Sequence, residues 1–274
     1  MPFPDRQLLQ MTIERRLSPE EEELRTKQAD LDSLLDRLAQ NELDLETLHA
    51  EINSFFSAYN AAVLPKVAEA KGLRARIAQA IYVLDPTDTA RSESQEARSS
   101  ADEAERDRQG QAEAPKDAQP GQRESFTPSP ELRALYLDLV KKAHPDLGKD
   151  DEDRLRRNGF MVRVNQAYEE GDEAALRSLA VEWAAGADPM DSGSVGDRLV
   201  RLIRQIADVR SRLVTAEAEI ESVKNSDDYL LVKEAEEARL EGRNLTAEHV
   251  TLLDADIDEL KAKINNIKDR LLAM

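Results

Sequence analysis

Residues 195–223 read VGDRLVRLIRQIADVRSRLVTAEAEIESV. Val195, Leu199, Leu202, Ile206, Val209, Leu213, Ala216, Ile220 and Val223 recur at alternating steps of four and three. Steps of that size place every one of these residues on a single stripe of a helix, the heptad rhythm of a coiled coil. The same rhythm closes the chain, through Val250, Leu253, Ile257, Leu260, Ile264, Ile267 and Leu271. The two frames do not match. Extending the first forward lands on Leu230, Glu234, Glu237, Glu241, Asn244 and Glu248, so the register breaks between Asn225 and His249. A stutter or a hairpin turn would each explain the slip. Asn225-Ser226-Asp227-Asp228 holds no Gly or Pro, and a continuous helix with a hinge is expected there or at Gly242.

The N-terminal part repeats the pattern. Ser18-Pro19-Glu20-Glu21 is a helix start, with a Ser N-cap, Pro at the first helical position and acids in the first turn. The seam then runs Leu24, Gln28, Leu31, Leu35, Leu38, Glu42, Leu45, His49, Ile52, Phe56 and Tyr59. It stays in phase through Val63, Ala70, Leu73, Ile77, Ala80 and Leu84. Pro65 and Gly72 weaken the amide ladder, so a kink is expected near Pro65, with a helical hairpin as the alternative.

Composition agrees with long helices. Charged residues make up 34% of the 274 residues and aromatics only 4%, a poor supply for one large globular core. The net charge of −18 argues against a non-specific nucleic-acid binder, which needs cations to displace counterions, and against docking on an anionic membrane. Cysteine is absent, which excludes a disulfide framework, a thiolate metal site and a cysteine nucleophile. Met1-Pro2-Phe3-Pro4-Asp5 has neither a basic nor an apolar region and no 18-residue apolar run occurs, so no signal peptide or membrane span is expected and the expected location is cytoplasmic.

Two segments interrupt the seams. From Pro86 to Ser125 there is no Val, Ile, Leu, Met, Phe, Trp or Tyr. With no large apolar side chains to offset the ordering entropy, residues 86–129 are expected to be a disordered tether, with at most a transient helix over Ser99 to Arg108. Residues 130–184 change character. Ser129-Pro130-Glu131 starts a helix whose face is Leu132, Leu135, Tyr136, Leu139 and Val140, and which stops at His144-Pro145-Asp146. A second helix, about 152–169, turns Leu155, Phe160, Met161, Val164, Ala167 and Tyr168 inward. Gly171 ends it, and Asp172 caps a third that ends near Trp183.

The segment Tyr136-Leu-Asp-Leu-Val-Lys-Lys-Ala-His144-Pro145-Asp146 resembles the J-domain of DnaJ-type co-chaperones. In that family His-Pro-Asp joins two antiparallel helices and contacts a DnaK-type ATPase. The family's Tyr eight residues before the His, Leu five before and cation two before match Tyr136, Leu139 and Lys142. Its aromatic-x-x-Ile-Asn-x-Ala-Tyr pattern is similar to Met161, Val164, Asn165, Ala167 and Tyr168. The resemblance covers Glu131 to about Asp172. It lacks the usual first helix, for which residues 122–128 offer only Phe126. Glu169-Glu170-Gly171-Asp172 replaces the usual Leu-Ser-Asp run, and Asp138 stands where a cation is common. A Gly/Phe-rich region and a zinc-binding cysteine repeat are also missing, so the resemblance is to proteins defined by the J-domain alone.

The expected architecture is therefore all-α. It comprises an N-terminal coiled coil (1–85), the tether (86–129), a J-like hairpin module (130–184), a short linker (185–194) and a C-terminal coiled coil (195–274). The resemblance implies a non-enzymatic adaptor that recruits and stimulates a DnaK-type chaperone through His144, Pro145, Asp146, Lys141 and Lys142. His144 and the Asp146 carboxylate are expected to be exposed, and the two lysines would offer charge to an acidic partner face. The coiled coils would bind a client or a second copy, as a homodimer. A structural scaffold with a degenerate module is the alternative. No cofactor, metal, nucleic acid or membrane is expected. The scattered His49, His144 and His249 do not form a ligand set, and Asp150-Asp151-Glu152-Asp153 lacks EF-hand spacing. Arg154, Arg156, Arg157 and Arg163 form a basic cluster that either faces water or meets an acidic partner, and Trp183 is expected to pack in a core or an interface.

Overall fold

A computed structural model describes residues 18–113, 126–186 and 194–272. They form the helices α1 (Pro19–Leu84), α2 (Asp88–Glu113), α3 (Pro130–Ala143), α4 (Asp151–Glu169), α5 (Glu173–Ala185), α6 (Val195–Lys224), α7 (Asp227–Leu240) and α8 (Leu245–Leu272). A 3-10 turn, Pro145–Leu147, joins α3 to α4, and there is no strand among the described residues. The fold class is all-α.

Helix α1 begins where its capping residues place it. The Glu21 N–H donates to Ser18 Oγ at 3.2 Å, and the Ser18 N–H donates back to Glu21 Oε2 at 2.9 Å, a reciprocal capping box. The helix runs through Pro65, which removes the hairpin alternative. Packing divides the chain into two units built from separated segments, Met1–Leu45 with Pro130–Ile220 and Glu46–Ser129 with Glu221–Met274.

In the first unit the N-terminal part of α1 pairs with α6. Leu31 and Leu38 share a core with Leu202, Ile206, Val209 and Leu213, all from the two seams. Arg37 reaches Glu217 at 3.5 Å and Glu42 reaches Arg212 at 2.8 Å, so α1 and α6 run antiparallel. Helices α3, α4 and α5 complete this unit.

In the second unit the C-terminal part of α1 pairs with α8. Ala70 and Leu73 bury against Ile257 and Leu260. Lys66–Asp254 (2.7 Å), Arg74–Asp256 (2.9 Å) and Lys261–Glu69 (2.8 Å) flank that seam, and the joint ascent from Tyr59–His249 through Lys66–Asp254 to Arg74–Asp256 makes the pair parallel. Tyr59 Oη and His249 Nδ1 lie 2.9 Å apart beside it. The buried parts of these seams thus face partners within the chain.

Two expectations are corrected. Residues 88–113 of the supposed tether form α2. Its Ala90, Ser94 and Ala104 are buried, and Ser94 Oγ donates to Gln79 Oε1 at 3.1 Å. Small side chains here replace the missing large ones. The Thr87 hydroxyl starts the helix by accepting the Ala90 N–H at 3.1 Å. Residues 114–125 of that stretch, and 187–193 of the short linker, lie outside the described residues. The second correction falls on the C-terminal helix, which is not continuous. It breaks at Asn225-Ser226, where Ser226 caps α7 by accepting the Tyr229 N–H, and again at Gly242, whose φ of +77° favours glycine.

Candidate functional site

Three helices set the His144-Pro145-Asp146 loop. Arg157 Nη1, early in α4, donates to the Lys142 carbonyl at the end of α3, at 3.0 Å. Early in α3, the Tyr136 hydroxyl donates to Asn165 Oδ1 late in α4, at 3.2 Å. Late α3 therefore meets early α4, and the two helices are antiparallel. Between them Tyr136, Leu139, Val140, Val164, Ala167 and Tyr168 are buried, with the Tyr136 and Tyr168 rings 4.7 Å apart. Helix α5 adds Leu176 and Leu179 to this small core and sets Trp183 on Phe160 at 4.7 Å. Arg156 and Arg157 stand over the Trp183 ring at 5.0 and 5.1 Å.

The loop's shape follows from its residues. Pro145 disfavours helix at the residue before it, and His144 turns extended, with ψ 137°. His144 Nδ1 then accepts the Asp146 N–H at 3.1 Å, capping the 3-10 turn. That bond leaves Nε2 to carry the proton when the ring is neutral. Gly148 closes the turn through its N–H to the Pro145 carbonyl at 2.9 Å. A Cβ at Gly148 would lie 2.4 Å from Arg154 Cγ and 2.9 Å from the Arg154 nitrogen, so this close approach requires glycine.

The expectation of an exposed loop is corrected. His144 is only 5% exposed. Its Nε2 faces Glu42 Oε1 of α1 at 3.8 Å, an electrostatic contact longer than a hydrogen bond. Glu42 is buried as well, and its carboxylate also accepts from Arg212 Nε of α6 at 2.8 Å. Burial pushes Glu42 up, but the His144 ring and the Arg212 guanidinium outweigh it and hold the carboxyl below its ordinary value. Asp146 is half-buried, with 26% of its side-chain surface exposed. Its Oδ2 is buried, lies 3.7 Å from His144 Nδ1, and accepts no hydrogen bond.

The cations are engaged too. Lys141 pairs with Asp36 of α1 at 2.7 Å, and Lys142 with Asp138 one helical turn back, also at 2.7 Å. Of the basic cluster, Arg154 meets Asp208 of α6 at 2.8 Å and Arg163 meets Glu182 at 2.6 Å. Arg156 and Arg157 share Asp153, whose carboxyl is raised by burial but brought down to about 2 by the two guanidiniums and the Lys149 N–H. The acidic run thus has structural work. Asp150 caps α4 through the Asp153 N–H, and no group of metal-ligating side chains assembles among the described residues. No described helix is long and apolar enough to cross a membrane.

Sequence reading singles out the loop and its lysines but misses Asp36, Glu42, Asp208 and Arg212. Glu42 carries a signal, since it is the one acid on a seam whose other polar positions include Gln28 and His49. No protein-family model matches this chain, no curated protein is significantly similar to it, and no solved structure matches it.

Proposed function

We propose that the chain is a J-domain-like co-chaperone adaptor, without catalytic activity of its own, that recruits a DnaK-type ATPase through His144-Pro145-Asp146 and stimulates its ATP hydrolysis. The observation that carries this reading is the seating of the tripeptide as a 3-10 turn between two antiparallel helices. Residues that the resemblance assigns to helix packing, Tyr136, Leu139, Val164, Ala167 and Tyr168, are buried between those helices. In this role Pro145 shapes the loop, His144 and Asp146 supply its polar contacts, and Lys141 and Lys142 add positive charge for an acidic partner face. The paired long helices would hold a client.

A scaffold with a degenerate module is the second reading. It is favoured by the burial of His144 and by the internal pairing of Lys142 with Asp138.

Single-turnover ATP hydrolysis by a DnaK-type chaperone, with this chain in excess, separates the two. The adaptor reading expects stimulation that His144→Gln abolishes while helical circular dichroism is retained. A rate equal to the chaperone's basal rate sinks it in favour of the scaffold, and stimulation that survives His144→Gln sinks the role given to the loop.

A further inference from the structure

The loop that the proposed function needs is occupied by the chain itself. Four contacts from α1 and α6 converge on it. Asp36 holds Lys141 at 2.7 Å, and Glu42 lies 3.8 Å from His144 Nε2. Asp208 holds Arg154 at 2.8 Å, and Gln205 Nε2 donates to the Leu147 carbonyl at 3.4 Å. The Leu147 side chain packs against the α1–α6 core. An acidic helical surface therefore already sits where an acidic partner surface would have to sit.

We infer that the α1–α6 pair is an internal competitor for the His144-Pro145-Asp146 loop, so that a chaperone partner gains the loop only by displacing Asp36, Glu42 and Asp208. This inference rests on the adaptor reading and adds regulation to it.

Two features fit displacement by a partner. The outer ion pairs are exposed: Lys141 and Asp36 retain 41% and 65% of their side-chain surface, and Arg154 and Asp208 retain 49% and 42%. Exposed pairs of this kind are weak and screened by salt. Within the loop itself Asp146 Oδ2 is buried without a donor, 3.7 Å from His144 Nδ1, an unsatisfied oxygen that a cation on the partner can pair. Glu42 is the firmest anchor, since it is buried and shared between Arg212 and His144.

The absence of cysteine makes the test clean. In Arg154→Cys/Asp208→Cys the two thiols are joined by a short bis-methanethiosulfonate reagent, and the link is reversed with dithiothreitol. Chaperone ATPase stimulation is compared on the same sample before and after reversal, with helicity checked at each stage. The linked form is expected to stimulate little, with recovery on reduction. In the unlinked chain, Asp36→Asn/Glu42→Gln is expected to lower the concentration for half-maximal stimulation about tenfold, as when a binding-competent fraction of roughly one in ten becomes the whole population. Diethyl pyrocarbonate modification of His144, followed by mass spectrometry, is expected to quicken in that variant. Equal stimulation by linked and reduced forms overturns the cover and leaves the adaptor reading standing. Unchanged His144 modification in Asp36→Asn/Glu42→Gln also overturns the cover, and no stimulation by any form, with His144 modified faster, overturns the adaptor reading on which it rests.

Discussion

Helices α6 and α2 carry the same four-three rhythm in different side chains. In α6 the stripe is Leu202, Ile206, Val209, Leu213, Ala216 and Ile220, all buried. In α2 it is Ala90, Ser94, Ala97, Ala101 and Ala104, of which Ala90, Ser94 and Ala104 are buried and the other two half-buried. Large side chains fill the space between helix axes and gain stability from apolar area. Small ones gain less area and depend on close approach of the backbone. Periodicity alone therefore marks a packed helix even where mean hydropathy argues for none.

Changes to the two stripes test that distinction. Leu38 is fully buried opposite α6, and Leu38→Ala is expected to cost about 2–5 kcal/mol, read as a lower urea midpoint. Ala104→Leu reverses the logic by overfilling the narrow stripe. It is expected to cost about 1–3 kcal/mol, seen as faster tryptic cleavage at Arg98 and Arg106 while α3–α5 keep their amide protection. A neutral Ala104→Leu would show that α2 is not closely packed. Thr87→Ala removes the α2 N-cap, and the expected loss of about 1 kcal/mol should appear as quicker amide exchange in the first turn of α2 alone.

What could be read from sequence was local. Ser18-Pro19 and Ser129-Pro130 mark the starts of α1 and α3, and His144-Pro145 marks the end of α3, because capping and proline sterics act within a few residues. Ser226 followed by Asp227-Asp228 is the same kind of start signal for α7, and it breaks the helix without any Gly or Pro. Helix α2 is hard to read because its stripe is alanine and serine, with no large apolar residue to mark a buried face. The burial of His144 was beyond local reading. It depends on Glu42, about a hundred residues earlier, and on Arg212 on a third helix. Glu42 stood out on its seam, but nothing local to it names either partner.

Trp183 is the chain's only tryptophan. It lies against Phe160 and beneath two guanidiniums, at the junction of α4 and α5. Tryptophan fluorescence from this protein is therefore a single-site signal, free of background from the long helices. Without any label, its intensity and wavelength follow whether α5 stays seated on α4. A stopped-flow trace would follow the small module alone through unfolding, while circular dichroism follows the helices together. Divergence of the two traces would time the loss of the module against that of the rest of the chain.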